Sequence, residues 1–222
     1  MLARALPVLL LLVIAPLALA SEINERVRPF DEGPQNASFL KFRNELKAII
    51  ARHDAAALMK IVAPDIKNGF GGEDGAAKFR KGWKPQDPKS LVWRALSLVV
   101  DNGGNFDSKT QFSAPYAFSA FPSDVDGFTT VVVTQDGAVM RAKPKADAAV
   151  VRTLDHDILT VVSTAPRKLQ HEATEADWLE VKDAKGRQGF VRALDVRSPI
   201  DYRAYFEKKH GKWLLTSFVA GD

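Results

Sequence analysis

The 222-residue chain has no cysteine and carries 31 basic against 27 acidic residues, a net charge of +4. The missing thiols exclude disulfide staples, thiolate metal sites and cysteine nucleophiles. Basic residues are interspersed with acidic ones rather than clustered, which argues against a nucleic-acid surface and for mild attraction to anionic polymers.

Residues 1–20 read as an export signal. Arg4 precedes an almost wholly apolar run from Leu6 to Leu19, and Ala18-Leu19-Ala20 has the small-x-small form that a signal peptidase cleaves before Ser21. The run is shorter than the roughly 20 apolar residues of a membrane span and is broken by Pro7 and Pro16. The expectation is a periplasmic or secreted protein, cut after Ala20, with no stable membrane insertion after cleavage.

Ser21 to Gln35 is a polar lead-in with little regular structure expected. Asn36 can cap a helix whose apolar residues Phe39, Phe42, Leu46, Ile49 and Ile50 recur at helical spacing. Asp54 can cap a shorter helix that Pro64 ends, and Asp65 to Gly72 reads as a turn-rich segment. Asp74 is placed to cap a third helix holding Ala77 and Phe79. A proline loop from Lys84 to Lys89 leads to a fourth helix opened by Ser90, with Gly103 or Gly104 free to take the left-handed closing conformation.

From Phe106 the character changes. Phe112, Tyr116, Phe118 and Phe121, punctuated by Pro115 and Pro122, predict extended chain rather than helix. Thr129 to Thr134 reads as a strand, and Asp136-Gly137 as a hairpin turn. Further strands are expected at Ala138 to Ala142, Val150 to Leu154 and Ile158 to Ser163. A polar loop spans Pro166 to Ala176. Two hairpins follow, Trp178–Lys182 with Gln188–Arg192, and Tyr202–Phe206 with Trp213–Val219.

The middle stretch carries a recognisable set of residues. Val139-Met140-Arg141 is followed by Pro144; Val151-Arg152-Thr153-Leu154 by Ile158 to Val162; Trp178-Leu179-Glu180-Val181 by Gly186, Gly189-Phe190-Val191 and Leu194. Together these resemble the bacterial SH3-like family of envelope proteins, and the whole chain looks like an exported protein carrying such a domain. The resemblance implies a small β-barrel with a short helical turn after its last hairpin, closed by Trp178 and Phe190. The helical start and the terminal Gly211-Lys212-Trp213 hairpin are similar to cone-shaped α+β folds of the nuclear-transport-factor type. The expected fold class is therefore α+β. An SH3-like barrel over 127–197 is inserted in, or appended to, an α+β domain made of 21–126 and 198–222.

Several candidate sites follow. SH3-like barrels bind through aromatic surfaces beside a mobile loop, so Met140, Trp178 and Phe190 are candidate groove residues. Arg141, Arg187 or Arg192 would pair acidic groups on the ligand, and Trp178 and Phe190 also read as core. Asp65, Trp83, Trp93 and Tyr116 are candidates for a pocket in the flanking domain, Asp65 as a general base. Gly69 to Gly75 fails both common phosphate-loop spacings. Asp155-His156-Asp157 would point to opposite faces of a strand and reads as a charged turn rather than a metal site. No serine has the context of a nucleophile elbow. The sequence predicts an envelope protein binding a wall peptide, a glycan or a partner protein, without cofactor, metal or nucleic acid. The alternative is a small-molecule-binding or enzymatic α+β domain with the barrel as accessory.

Overall fold

The computed structural model describes residues 26–163 and 168–221. The export segment 1–20 and part of the long polar loop, 164–167, lie outside them.

α1 (Ala37–Arg52) begins where expected: the Asn36 side chain accepts hydrogen bonds from the Ser38 and Phe39 amides, both at 3.1 Å. Its apolar stripe, Phe39 to Ile50, is buried, and His53 ends it at a left-handed φ of 51°. Asp54 caps α2 (Ala55–Ile61) through the Ala57 amide at 2.9 Å.

The next segment departs from the expected turn. Val62–Lys67 is a strand, β1, with Pro64 inside it. Proline is tolerated there because β1 is an edge strand, paired on one side only. α3 (Ala76–Trp83) is preceded by Gly75 at φ +100°, so Asp74 does not cap it. Asp74 instead pairs with Lys67 at 2.5 Å and accepts the Asn68 amide. The Ser90 hydroxyl accepts the Val92 amide at 3.2 Å at the start of α4 (Val92–Val100). β2 (Asn105–Ser108) and β3 (Gln111–Ala114) form a hairpin. The expected extended run is then interrupted by a four-residue helix, α5 (Tyr116–Ser119), which starts directly after Pro115, where the missing N–H costs nothing.

The remaining strands are β4 (Thr130–Val133), β5 (Val139–Arg141), β6 (Val150–Thr153), β7 (Ile158–Val161), β8 (Trp178–Lys182), β9 (Gln188–Arg192), β10 (Val196–Arg197), β11 (Arg203–Lys209) and β12 (Lys212–Val219). They fall into two sheets: five strands in the order β1-β12-β11-β3-β2, and seven in the order β10-β4-β7-β8-β9-β5-β6. The fold is α+β.

Two expectations about the second sheet need correction. β4 pairs with β7 and β10 rather than β5, so Asp136-Gly137 does not close a hairpin. The sheet is also open, with β10 and β6 as its edges, rather than a closed barrel. The short helical turn after β9 is present at Ala193–Asp195.

Each sheet has its own core. The first buries α1 to α4 against β11, β12 and β3, with Phe39 ringed by Phe112 at 4.2 Å, Trp213 at 5.0 Å and Phe206 at 5.8 Å. Burying one such ring is worth roughly 1.5–3 kcal/mol. The second core is Val131, Val133, Met140, Leu154, Leu159, Val181, Val191 and Val196, with Ala138.

From Arg26 onward the lead-in is more ordered than its composition implies, because it straps the two parts together. Arg26 bridges Asp157 of the second sheet, the Val27 amide donates to the His156 carbonyl, and Asp31 bridges Gly104 beside β2. Burial alone would raise the Asp31 carboxyl. The Arg43 guanidinium at 2.6 and 2.8 Å and the Gly33 N–H nevertheless hold it below the usual range. No helix among the described residues is long and apolar enough to cross a membrane.

Candidate functional site

Trp83 is the last residue of α3, and its position is set by the turn behind it. Lys84 reverses the chain at φ 49°, and the Ser90 hydroxyl returns to donate to the Trp83 carbonyl at 2.5 Å. The half-buried indole meets Tyr202 at 4.8 Å and His171 at 5.9 Å, both edge-on, and Phe218 at 5.4 Å. Tyr202, just before β11, stacks on Phe218 at 4.9 Å.

His171 arrives from the long loop between β7 and β8. The 3-10 turn Gln170–Glu172 is held from three sides. The Gln170 amide donates to Asp201 Oδ2 at 2.9 Å; Arg197 donates to Gln170 Oε1 at 2.9 Å; Gln170 Nε2 donates to the Leu194 carbonyl at 3.2 Å. Arg197 and Asp201 are both only 3% exposed and lie 4.0 Å apart. A charged pair this deep is stable only when its remaining donors and acceptors are also bonded, and Gln170 supplies that. The segment is thus locked by its own buried polar groups.

These residues enclose a cleft of about 680 Å³ walled by Phe79, Trp83, Leu91, His171 and Tyr202, with Asn68 at one side. Its rim holds Glu73, Lys78, Lys81 and Glu172. Volumes of roughly 300–1,000 Å³ are typical of small-molecule sites. Burial pushes the His171 imidazole down, with Arg197 and Arg94 adding to the effect and Asp201 and Glu172 opposing it. Burial, Asp201 and Glu172 together raise the Tyr202 phenol, so it stays neutral. Two polar atoms on the lining side chains are buried without a hydrogen-bond partner, Asn68 Oδ1 and His171 Nδ1. The Asn68 amide cannot simply be turned over, because its Nδ2 already donates to the carbonyls of Glu73 at 2.9 Å and Gly75 at 3.1 Å.

The residues expected to form a groove on the second sheet divide between its faces. Met140 is fully buried in the core, under Gly189, and is closed to ligand. Trp178 and Phe190 lie on the other face, where Trp178 faces Arg192, Glu180 faces Phe190, and Phe190 faces Arg141. Both rings are half-buried, so neither closes the core. Arg141 donates to the Ala148 carbonyl at 2.8 Å, and Arg187 is held by Asp183 at 2.7 Å on the hairpin end.

The four candidates for a flanking pocket do not converge. Asp65 is exposed on β1, 3.5 Å from Lys209. Trp93 is core and stacks on His53 at 5.0 Å. Tyr116 packs with Val27, Ala117 and Val132, where burial and then Asp136 push its phenol up to about 12. Only Trp83 reaches the cleft. In the triplet 155–157, Asp155 pairs with Arg26 and Arg28, His156 with Asp136, and Asp157 with Arg152.

Three residues of the cleft carry no sequence signal as site residues: His171 stands in a polar loop, Tyr202 opens a hairpin, and Asn68 lies in a glycine-rich bend. Compared with family models, with curated proteins and with solved structures, the chain matches none.

Proposed function

We propose that the chain is an exported cell-envelope protein that binds a wall peptide, a glycan or a partner protein, with its ligand seated against the wall that Trp83, His171 and Tyr202 form together. One observation carries this reading. Aromatic rings from three separate segments converge on a cleft of ligand size, and the segment bringing His171 is fixed there by a buried Arg197–Asp201–Gln170 network.

The second sheet is read as an SH3-like module, supported by the hairpin β8–β9, the Gly189 contact with Met140, and the 3-10 turn before β10. The first part is read as a cone-shaped α+β domain, supported by helices at its start and by β11 and β12 lying between β1 and β3. In this arrangement the SH3-like module is the structural partner that furnishes one wall of the site. Residues 1–20 supply the export signal of the proposal.

A second reading rests on the outer face of β5, β9 and β8. Arg141, Phe190, Trp178 and Arg192 would there receive an extended peptide with an acidic group. The two readings separate by nuclear magnetic resonance of the mature chain titrated with a muropeptide digest and a wall-glycan digest. The cleft reading expects the Trp83 indole and the amides of 169–172 to move. Movement confined to Trp178 and Phe190 transfers the function to the outer face, and no movement at either place overturns both.

A further inference from the structure

From the chemistry of its walls, and resting on the reading of the cleft as the binding site, we infer that the site takes a neutral sugar, of disaccharide size. Charge decides first. The rim holds two carboxylates, Glu73 and Glu172, against two ammonium groups, Lys78 and Lys81, so it has no net sign with which to select an ion. Two of these charges already face each other in the Glu73–Lys78 pair, and Glu172 accepts the Leu169 amide at 3.2 Å.

The walls decide next. Trp83 and Tyr202 are each half-buried and packed edge-on at 61°, with one face of Tyr202 covered by Phe218, so the exposed remainder of the two rings forms an aromatic wall of the cleft. Such a wall suits a ligand with an apolar face bordered by polar groups. A pyranose fits this description: its axial C–H groups lie on an aromatic ring while its hydroxyls point outward.

Two unpartnered atoms beneath the walls favour polar groups on the ligand. Asn68 Oδ1 needs a donor, and the Nδ2 contacts leave the amide no other orientation. His171 Nδ1 also lacks a partner. Burial keeps the imidazole neutral, and a neutral ring nitrogen is donor or acceptor according to tautomer, as a hydroxyl is. Buried polar atoms are rarely left unsatisfied in native structures; both lie beneath the cleft surface, so a hydroxyl reaches them as the lining side chains shift, and an apolar ligand would satisfy neither. About 680 Å³ leaves room for more than one ring.

The test is titration of the mature protein, followed by tryptophan emission and amide shifts. The probes are cellobiose and N,N′-diacetylchitobiose, a glucuronic-acid disaccharide, and a tetra-alanine peptide. A saturable shift of 169–172 by at least one neutral disaccharide is expected, with the charged sugar and the peptide weaker. Trp83→Ala should weaken binding about tenfold, Trp83→Phe less, and Trp178→Ala not at all; circular dichroism checks that each variant is folded. If the peptide or the charged sugar moves these amides and neither neutral disaccharide does, the sugar assignment fails while the cleft remains the binding site. If no probe moves them and the wall digests do not either, both readings fall.

Discussion

His171 is a histidine that folding takes out of water without supplying a full set of partners. Its pKa in the folded chain lies below the unfolded value of about 6.5. As pH falls through about 6.5 the unfolded chain takes up a proton that the folded chain resists, so stability declines; the decline levels off once pH is below the folded value. Thermal melting of the protein should therefore worsen as pH falls below about 6.5, and His171→Gln should flatten that slope. An unchanged slope in the variant would mean that another group carries the acid sensitivity. The aromatic neighbours Trp83 and Tyr202 should be unaffected in ring packing at neutral pH, where the imidazole is uncharged.

Among the elements, the β8–β9 hairpin shows how closely the second sheet is packed. A Cβ added at Gly189 would meet Met140 Cγ at 2.6 Å and the Arg141 carbonyl oxygen at 2.8 Å. A flexible methionine can retreat, but a backbone oxygen in the neighbouring strand cannot. Gly189→Ala is expected to cost about 1–3 kcal/mol in urea denaturation, the usual range for overpacking. A loss below about 0.5 kcal/mol would show that β5 slides freely, contrary to the pairing of Arg141 with Phe190. The close approach at Gly189 was readable beforehand because glycine is weak in a strand without such a reason. So were the helix starts at Asn36 and Asp54, where the capping oxygen and the amides it binds are two or three residues apart. Less could be read where partners are remote. Pro64 looked like a helix terminator because nothing local reveals that β1 will be an edge strand beside β12. Trp178 and Met140 both belong to apolar strands, and alternation alone does not say which face turns inward. The area of tryptophan argued for the core, yet Val181, Val191 and Met140 fill it.

At the scale of the whole molecule, the two sheets communicate through a few buried polar residues rather than through an apolar seam alone. Asp201 accepts the amides of Gln170 at 2.9 Å and Tyr202 at 2.5 Å, tying one wall of the cleft to another. Asp201→Ala removes both bonds and leaves the Arg197 guanidinium buried opposite no carboxylate. The expected cost is about 3 kcal/mol, with hydrogen exchange at 168–172 rising more than in β8. Uniform exchange across both would mean that the loop is held elsewhere. None of this was visible in the polar stretch after Ser163, because its partners lie about thirty residues on, at Arg197 and Asp201. Of the residues lining the cleft, Trp83 alone was legible, as a candidate for a pocket in the flanking domain.

The strand order has a consequence in time. β11 and β12 lie between β1 and β3, yet the entire second sheet separates them from both along the chain. Strands β4 to β10 find all their neighbours within the second sheet, whereas β1 and β3 stay without their central companions until β11 and β12 follow. Such long-range pairing is intrinsically slow. The cleft draws Phe79 and Trp83 from before the second sheet and Tyr202 from just ahead of β11, so it cannot be complete until that late hairpin has docked.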